Sequence, residues 1–325
     1  MPIPCLTAAA RRLRSVCAGG AAAAFGACGA RAAYTVLAGH PGQGTVDDVF
    51  RVAEHARDVW TRTNFRGHDV TLVEGPALAA GICAGTALAP GVPRPWRAAA
   101  VVAAAGSAVF GAYDDVSGST RSRGFRGHLG ALARGEVTTG AIKIAGIGAT
   151  GLAAATVARG RPLDVLINGA MIAGTANLLN LFDLRPGRAI KVGLAAGAPA
   201  LTGPAAGIAG AALGAAAAVL PEDLAERAML GDAGANALGA ALGVAAAVSL
   251  PRRTRTALLG GVVGLTLASE FVSFSRIITE VPPLRRLDGL GRRTSPAPGP
   301  VPVGEPLPPR PAAPPAIPAA AAACA

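Results

Sequence analysis

Asp114-Asp115 in Gly111-Ala-Tyr-Asp-Asp-Val-Ser-Gly118, Asp183 in Asn177-Leu-Leu-Asn180-Leu-Phe-Asp183 and Asp232 in Leu230-Gly-Asp-Ala-Gly-Ala-Asn236 are carboxylates at the ends of long apolar runs. Adjacent carboxylates at the end of an apolar helix repel each other and face the negative end of the helix dipole, so they are costly unless a proton or a cation compensates them. That cost points to a ligand. Oxygen donors with open positions suit Mg2+, which takes one or two carboxylates together with phosphate oxygens. Each cluster also has a plainer reading, as the polar residue a membrane helix needs where it meets water, and Asp232 is placed to cap the helix that follows it. Clusters from three stretches of chain on one face favour the ligand.

The elements that must position these groups are membrane helices. Of the 325 residues 51% are hydrophobic and 15% charged, whereas a soluble domain carries about a quarter charged residues. Apolar runs long enough to cross a hydrocarbon core, roughly 20 helical residues each, recur along the chain. The reading is an all-α, polytopic membrane protein of about nine transmembrane helices, near 18–38, 75–91, 96–113, 137–157, 163–182, 189–203, 205–220, 232–250 and 257–278. Ala, Gly, Val and Leu dominate these runs, so their backbones can approach closely. An N-terminal segment 1–17 precedes the transmembrane domain 18–278, and a cytoplasmic tail 279–325 follows, Pro- and Ala-rich and disordered from about 295. Arg11, Arg12 and Arg14 ahead of an apolar run also fit a cleaved export signal.

The polar connections 39–74, 114–136, 183–188 and 221–231, with everything after 278, carry most of the arginines, while Arg252, Arg253, Arg255 and the N-terminal arginines stand opposite. By the positive-inside rule the polar set is cytoplasmic, in a multi-pass protein of the cell's inner (plasma) membrane whose acidic motifs share that side. The net charge of +11 does not make a nucleic-acid binder, because the arginines lie in short groups between apolar runs rather than in one stripe. Cys5, Cys17, Cys28, Cys83 and Cys324 have no paired or metal-ligand spacing. His68 and His128 are lone histidines in polar loops and read as solvent-exposed. Lys143 lies about two turns inside a predicted span, where a membrane tolerates it with a partner or by snorkelling; a phosphate contact is the functional reading. Glu270 and Arg276 can pair with each other or mark a helix boundary.

An Asp-Asp pair after an early helix, then Asn-x-x-Asn-x-x-Asp, then Gly-Asp-x-Gly, in that order and at one predicted face, resembles the polyprenyl-phosphate N-acetylhexosamine-1-phosphate transferases, the family of phospho-MurNAc-pentapeptide translocase and the GlcNAc-1-phosphate transferases. The likeness runs from about residue 50 to 278. It implies transfer of a sugar-1-phosphate from a UDP-sugar to a polyprenyl phosphate, with release of UMP, in envelope-glycan assembly. It further implies that Asp232 binds Mg2+, that Asp114 and Asp115 position or deprotonate the lipid phosphate while Asp115 helps hold the metal, and that Asn177, Asn180 and Asp183 face the nucleotide-sugar. Asn64 and Arg66, with Arg62, stand where the family has basic residues before its second helix, and so become phosphate-binding candidates beside the plainer reading as loop charges. A homodimer is compatible with the likeness.

The pattern also departs from the family. Its second motif continues Asp-Gly-x-Asp-Gly, but here it reads Asp183-Leu-Arg-Pro-Gly187, no histidine follows His128, and the closing tenth helix is missing. Arg185 and Arg188 stand near the lost aspartate and could grip a diphosphate, since an Arg fork matches phosphate oxygens. The competing function is a non-catalytic membrane protein that keeps the lipid-phosphate groove as a binding or scaffolding module. A transporter fits less well, because the acidic residues gather at one surface rather than at the midplane.

Overall fold

The computed structural model describes residues 4–38, 59–64, 66–118 and 124–292. The arginines expected on the polar face within 39–58 and 119–123, and the disordered tail expected from about 295, lie outside the described residues. Helix α1 spans Pro4–Leu37, so the N-terminal arginines and the first apolar run form one continuous helix. There follow strands β1 (Thr61–Thr63) and β2 (Asp69–Thr71), then α2 (Glu74–Ala87), α3 (Arg94–Ser117), α4 (Gly124–Ala133), α5 (Thr139–Val157) and α6 (Pro162–Asn180). The chain continues through α7 (Arg188–Gly197), a 3-10 turn at Ala198–Thr202, α8 (Ala206–Leu224), α9 (Gly231–Ser249), α10 (Arg252–Ser269), α11 (Phe274–Glu280) and α12 (Pro282–Gly289).

Six of these helices, α1, α3, α5, α6, α8 and α9, are long and apolar enough to cross a membrane, and α10 with α11 makes a seventh if that bent pair counts as one span. Two of the nine expected runs are shorter in the fold than in the sequence. The run at 75–91 yields only the 14 residues of α2, and the run at 189–203 yields the 10 residues of α7 before Pro199, which has no N–H to continue an α-helix, sets a 3-10 turn. The last expected span, 257–278, breaks after Ser269, and the chain turns through 91° into α11. Ser273 makes the restart possible, because its side chain accepts the Arg276 N–H at the N-terminus of α11.

Helix α9 is the axis of the bundle: along it only Asp232, Leu242, Ala246, Val248 and Ser249 escape full burial. It contacts α2, α3, α6 and α8, and α1 lies along α8 and α2 through rows of Gly and Ala. Helix α10 stands at the edge, with only Val262 buried. Ion pairs from Arg252 and Arg255 to Asp164 of α6, at 2.6 and 3.1 Å, hold its first turn to the bundle.

An all-α chain was expected, and the exception is small. β1 and β2 pair antiparallel, with Arg62 opposite Val70. Thr71 extends this pairing to Ala228 in parallel, with Thr71 N–H donating to Arg227 O and Met229 N–H donating to Thr71 O. The hairpin thereby covers the bundle end where α8 hands over to α9.

Candidate functional site

Asp114 lies in the last turn of α3, Lys143 in the second turn of α5 and Asp232 in the first turn of α9. The Lys143 ammonium bridges the two acids, with Nζ 2.6 Å from Asp114 Oδ2 and 2.6 Å from Asp232 Oδ2. Close helix packing makes this meeting possible. At Gly111, one turn before Asp114, a Cβ would stand 2.4 Å from the Asp232 carbonyl oxygen, so only glycine lets α3 lie this near the start of α9. Thr138 accepts the Ala141 N–H at 3.1 Å and fixes the start of α5. Asn236, itself buried, donates to Asp232 O at 2.7 Å. Two carboxylates and one ammonium leave this cluster one negative charge in excess.

Asp115, one residue along α3, has a different task. Its Oδ1 accepts the Asp232 N–H and its Oδ2 accepts the Ala233 N–H, both at 2.9 Å. Gly231 N–H lies near the Asp183 carboxyl group. Leu230, at the N-cap position of α9, supplies no side-chain acceptor. Asp115, from a remote segment, therefore satisfies two of the orphan amides at the start of α9 and stands at the positive end of its dipole. Gly231 is essential to the grip: its φ is +63°, and a Cβ there would meet Asp115 Oδ2 at 3.0 Å. The carbonyl oxygen of Asp115 accepts from Arg62 Nη2 of the hairpin.

Half-buried Asp183 sits in the turn between α6 and α7. Burial, then the charges of Asp223, Asp232 and Asp115, hold its carboxyl well above the usual carboxylate range, against the opposing pull of the Gly231 N–H.

Two cavities flank this turn. The larger, about 450 Å3, runs from Lys143, Asn177 and Asn180 along a wall of Ile144, Ile147, Gly148 and Gly174 between α5 and α6, with Glu270 at the end of α10. The smaller, about 190 Å3, is lined by Asn64, Asp183, Arg185, Asp223, Glu226 and Met229 among others.

The structure brings Asp114, Lys143 and Asp232 into one cluster and sets Asp115 on the adjoining amides, with Asp183 near them. Asn177 and Asn180 face the larger cavity, and exposed Arg185 the smaller one. Other candidates have protein partners in place of the phosphate expected for them. Asn64 Nδ2 donates to Glu226 Oε2 at 3.1 Å, and Arg66 pairs with Glu226 Oε1 at 3.3 Å. Arg62 donates its remaining bonds to the carbonyls of Val59 and Thr61. Arg188, 4% exposed, is taken up by Asp288 and Ser275. Exposed Arg276 pairs with Glu280 rather than Glu270.

Sequence reading missed Asp223 and Glu226, although Glu222-Asp223 ends an apolar run as the three motifs do. It also missed Glu74, which opens α2 fully buried, with neither carboxylate oxygen hydrogen-bonded among the described residues.

Among the described residues no group of three or more His, Cys, Asp or Glu side chains is arranged to hold a metal ion. Asp115, expected to help hold the metal, has one backbone donor on each oxygen, which leaves each oxygen a second lone pair. Asp114 and Asp232 are hard oxygen donors of the kind Mg2+ takes beside phosphate and water, and in this structure the Lys143 ammonium bridges them.

No family model, no curated protein and no solved structure matches the chain.

Proposed function

We propose that this chain is a phosphosugar transferase that moves a sugar-1-phosphate from a UDP-sugar to a polyprenyl phosphate and releases UMP. The observation that carries the reading is Lys143, which bridges Asp114 and Asp232 and lines, with Asn177 and Asn180, the polar end of a cavity whose wall turns apolar between membrane helices. A lipid phosphate has that same shape, a charged head on an apolar tail. The smaller cavity beyond Asp183 is the place for the nucleoside end of the donor, since Asp183, Asp223 and Glu226 offer carboxyl acceptors to hydroxyl and imide N–H groups.

In this scheme Lys143 draws the lipid phosphate toward the cluster, and its oxygen attacks the β-phosphorus of the UDP-sugar. The bond from that phosphorus to the bridging oxygen breaks, and UMP leaves with the oxygen. Both substrates are polyanions, so the protein's work is to hold them in line and to offset their charge. Asp114 accepts the proton of a monoprotonated lipid phosphate, and Asp232 fixes the ammonium from the other side. Asp114 and Asp232 are the residues that would hold Mg2+, which when bound would neutralise the diphosphate. The acidic end is the cytoplasmic one in this reading, in a plasma membrane, because that end carries most of the arginines. Helix α2, α7 with its 3-10 turn, and α10 up to its bend then count as three crossings that bring the total to nine.

The test is UMP release by the purified full chain with UDP-GlcNAc and related donors, decaprenyl phosphate and Mg2+. Asp232→Asn and Lys143→Met are expected to lower turnover at least a hundredfold, about 3 kcal/mol of transition-state stabilisation. An unimpaired Asp232→Asn would refute the assignment. A second reading, a non-catalytic lipid-phosphate module, has its own support: Arg188, the arginine offered in place of the missing aspartate, is spent on Asp288. Lipid-phosphate binding by a folded protein that turns over no donor would establish that reading.

A further inference from the structure

The segment after α10 has no part in the site, yet it is built to a plan. The chain turns through 91° after Ser269, so α11 runs at right angles to α10, and α12 follows from Pro282. Asp288 of α12 fastens the segment. Its carboxylate accepts from Arg188 Nε at 2.7 Å and Nη2 at 3.0 Å, and from Arg292 Nη2 at 2.7 Å and Nη1 at 2.8 Å. Lys191 Nζ donates to Asp288 O at 2.8 Å, Arg188 Nη1 to Ser275 Oγ at 2.7 Å, and Arg292 Nε to Pro186 O at 2.8 Å. On the bundle side the anchors are Pro186, Arg188 and Lys191, in the turn before α7 and in its first turn, so the strap lies at the end of the bundle where Asp183 also sits.

The surface that the strap leaves outward is apolar and cationic together. Leu287 and Leu290 are 59% and 60% exposed, Phe271 at the turn is 75% exposed, and Ile277, Val281 and Leu284 are exposed as well. Arg285 and Arg286 are exposed, and their side chains form no ion pair or hydrogen bond among the described residues, unlike those of Arg188 and Arg292 beside them. Water is a poor neighbour for six large apolar side chains on two short helices and the turns beside them. A segment that lies in the membrane plane satisfies them at the boundary between headgroup and acyl chain, and arginines at that depth meet lipid phosphates.

We propose that α11–α12 is an interfacial strap that seats its leucines in the leaflet at the acidic end and binds anionic phospholipid headgroups through Arg285 and Arg286. It rests on the membrane-crossing helices and not on the transferase reading, and its test needs no turnover.

A full chain with its five cysteines changed to alanine and Leu287→Cys introduced is labelled with a polarity-sensitive dye and placed in nanodiscs of phosphatidylcholine, with or without phosphatidylglycerol. The expected result is a blue-shifted emission in both lipids and a further shift with phosphatidylglycerol. Arg285→Glu with Arg286→Glu, both at the surface, should abolish the further shift and reduce the phosphatidylglycerol retained in native mass spectrometry. Emission typical of water in both lipids would overturn the proposal and leave the surface to a soluble protein. A phosphatidylglycerol response that survives the double variant would overturn the role of the arginines.

Discussion

Asp115→Asn separates a ligand from a structural cap. In the wild type the two oxygens of Asp115 each hold one amide of α9 at 2.9 Å, at a helix end with no cap of its own. Hydrogen bonds to a charged group contribute about 1.5–3 kcal/mol each, and an anion at a helix N-terminus adds ~0.3–1 kcal/mol. Asparagine keeps one acceptor, now neutral, and turns its amide nitrogen toward the other N–H, donor against donor. One charged bond is lost and the second falls to about 1 kcal/mol, so with the dipole contribution the expected loss of stability is roughly 3–4 kcal/mol. Asp114→Asn is the contrast. It leaves Lys143 with Asp232 and a neutral acceptor, so stability should fall by about 1–2 kcal/mol, less than for Asp115→Asn, while turnover is lost. The assay is equilibrium unfolding in mixed micelles, followed by the fluorescence of Trp60 and Trp96, beside UMP release. If Asp115→Asn unfolds at the wild-type midpoint the cap reading is wrong, and if it also abolishes turnover Asp115 belongs among the ligands.

Two further outcomes follow from the same turn. Gly231→Ala should cost about 1–2 kcal/mol for a non-glycine residue at φ +63° and more through contact with the Asp115 carboxylate; an unchanged unfolding midpoint would show that the turn relaxes freely. Because the folded state raises the Asp183 pKa, the native protein holds that proton more tightly than the unfolded chain does. Its contribution to stability is therefore complete below the unfolded carboxylate range, near 4, and is lost as pH rises through the folded value, at up to about 1.4 kcal/mol per pH unit. Asp183→Asn should thus gain stability relative to wild type as pH is raised from about 4, and a pH-independent difference between the two would contradict the raised pKa.

The helical character of the chain and the gathering of its acidic motifs were legible without coordinates. Hydropathy is additive along a run, and each motif closes one, so the ends of the runs locate the carboxylates whatever the detailed packing. Run length was a poorer guide to helix length at 189–203, where Pro199 interrupts an otherwise apolar stretch, and at 257–278, where Ser273 restarts the helix in a new direction.

The division of labour among the carboxylates came only with the tertiary structure. Asp114 and Asp115 are equivalent as letters, but one residue of helix turns a side chain through about 100°. That rotation directs Asp114 to Lys143 and Asp115 to the amides of α9, whose sequence separation from it is 117 and 118 residues. Arg185 and Arg188 read alike as well, until Asp288, 100 residues away, buries one of them. Composition and spacing determine which segments enter a membrane and which of their ends carry charge, because those are properties of a run. A partner chosen through space, at hydrogen-bond distance and across most of the chain, depends on how the helices pack, and here the glycines at 111 and 231 set that packing.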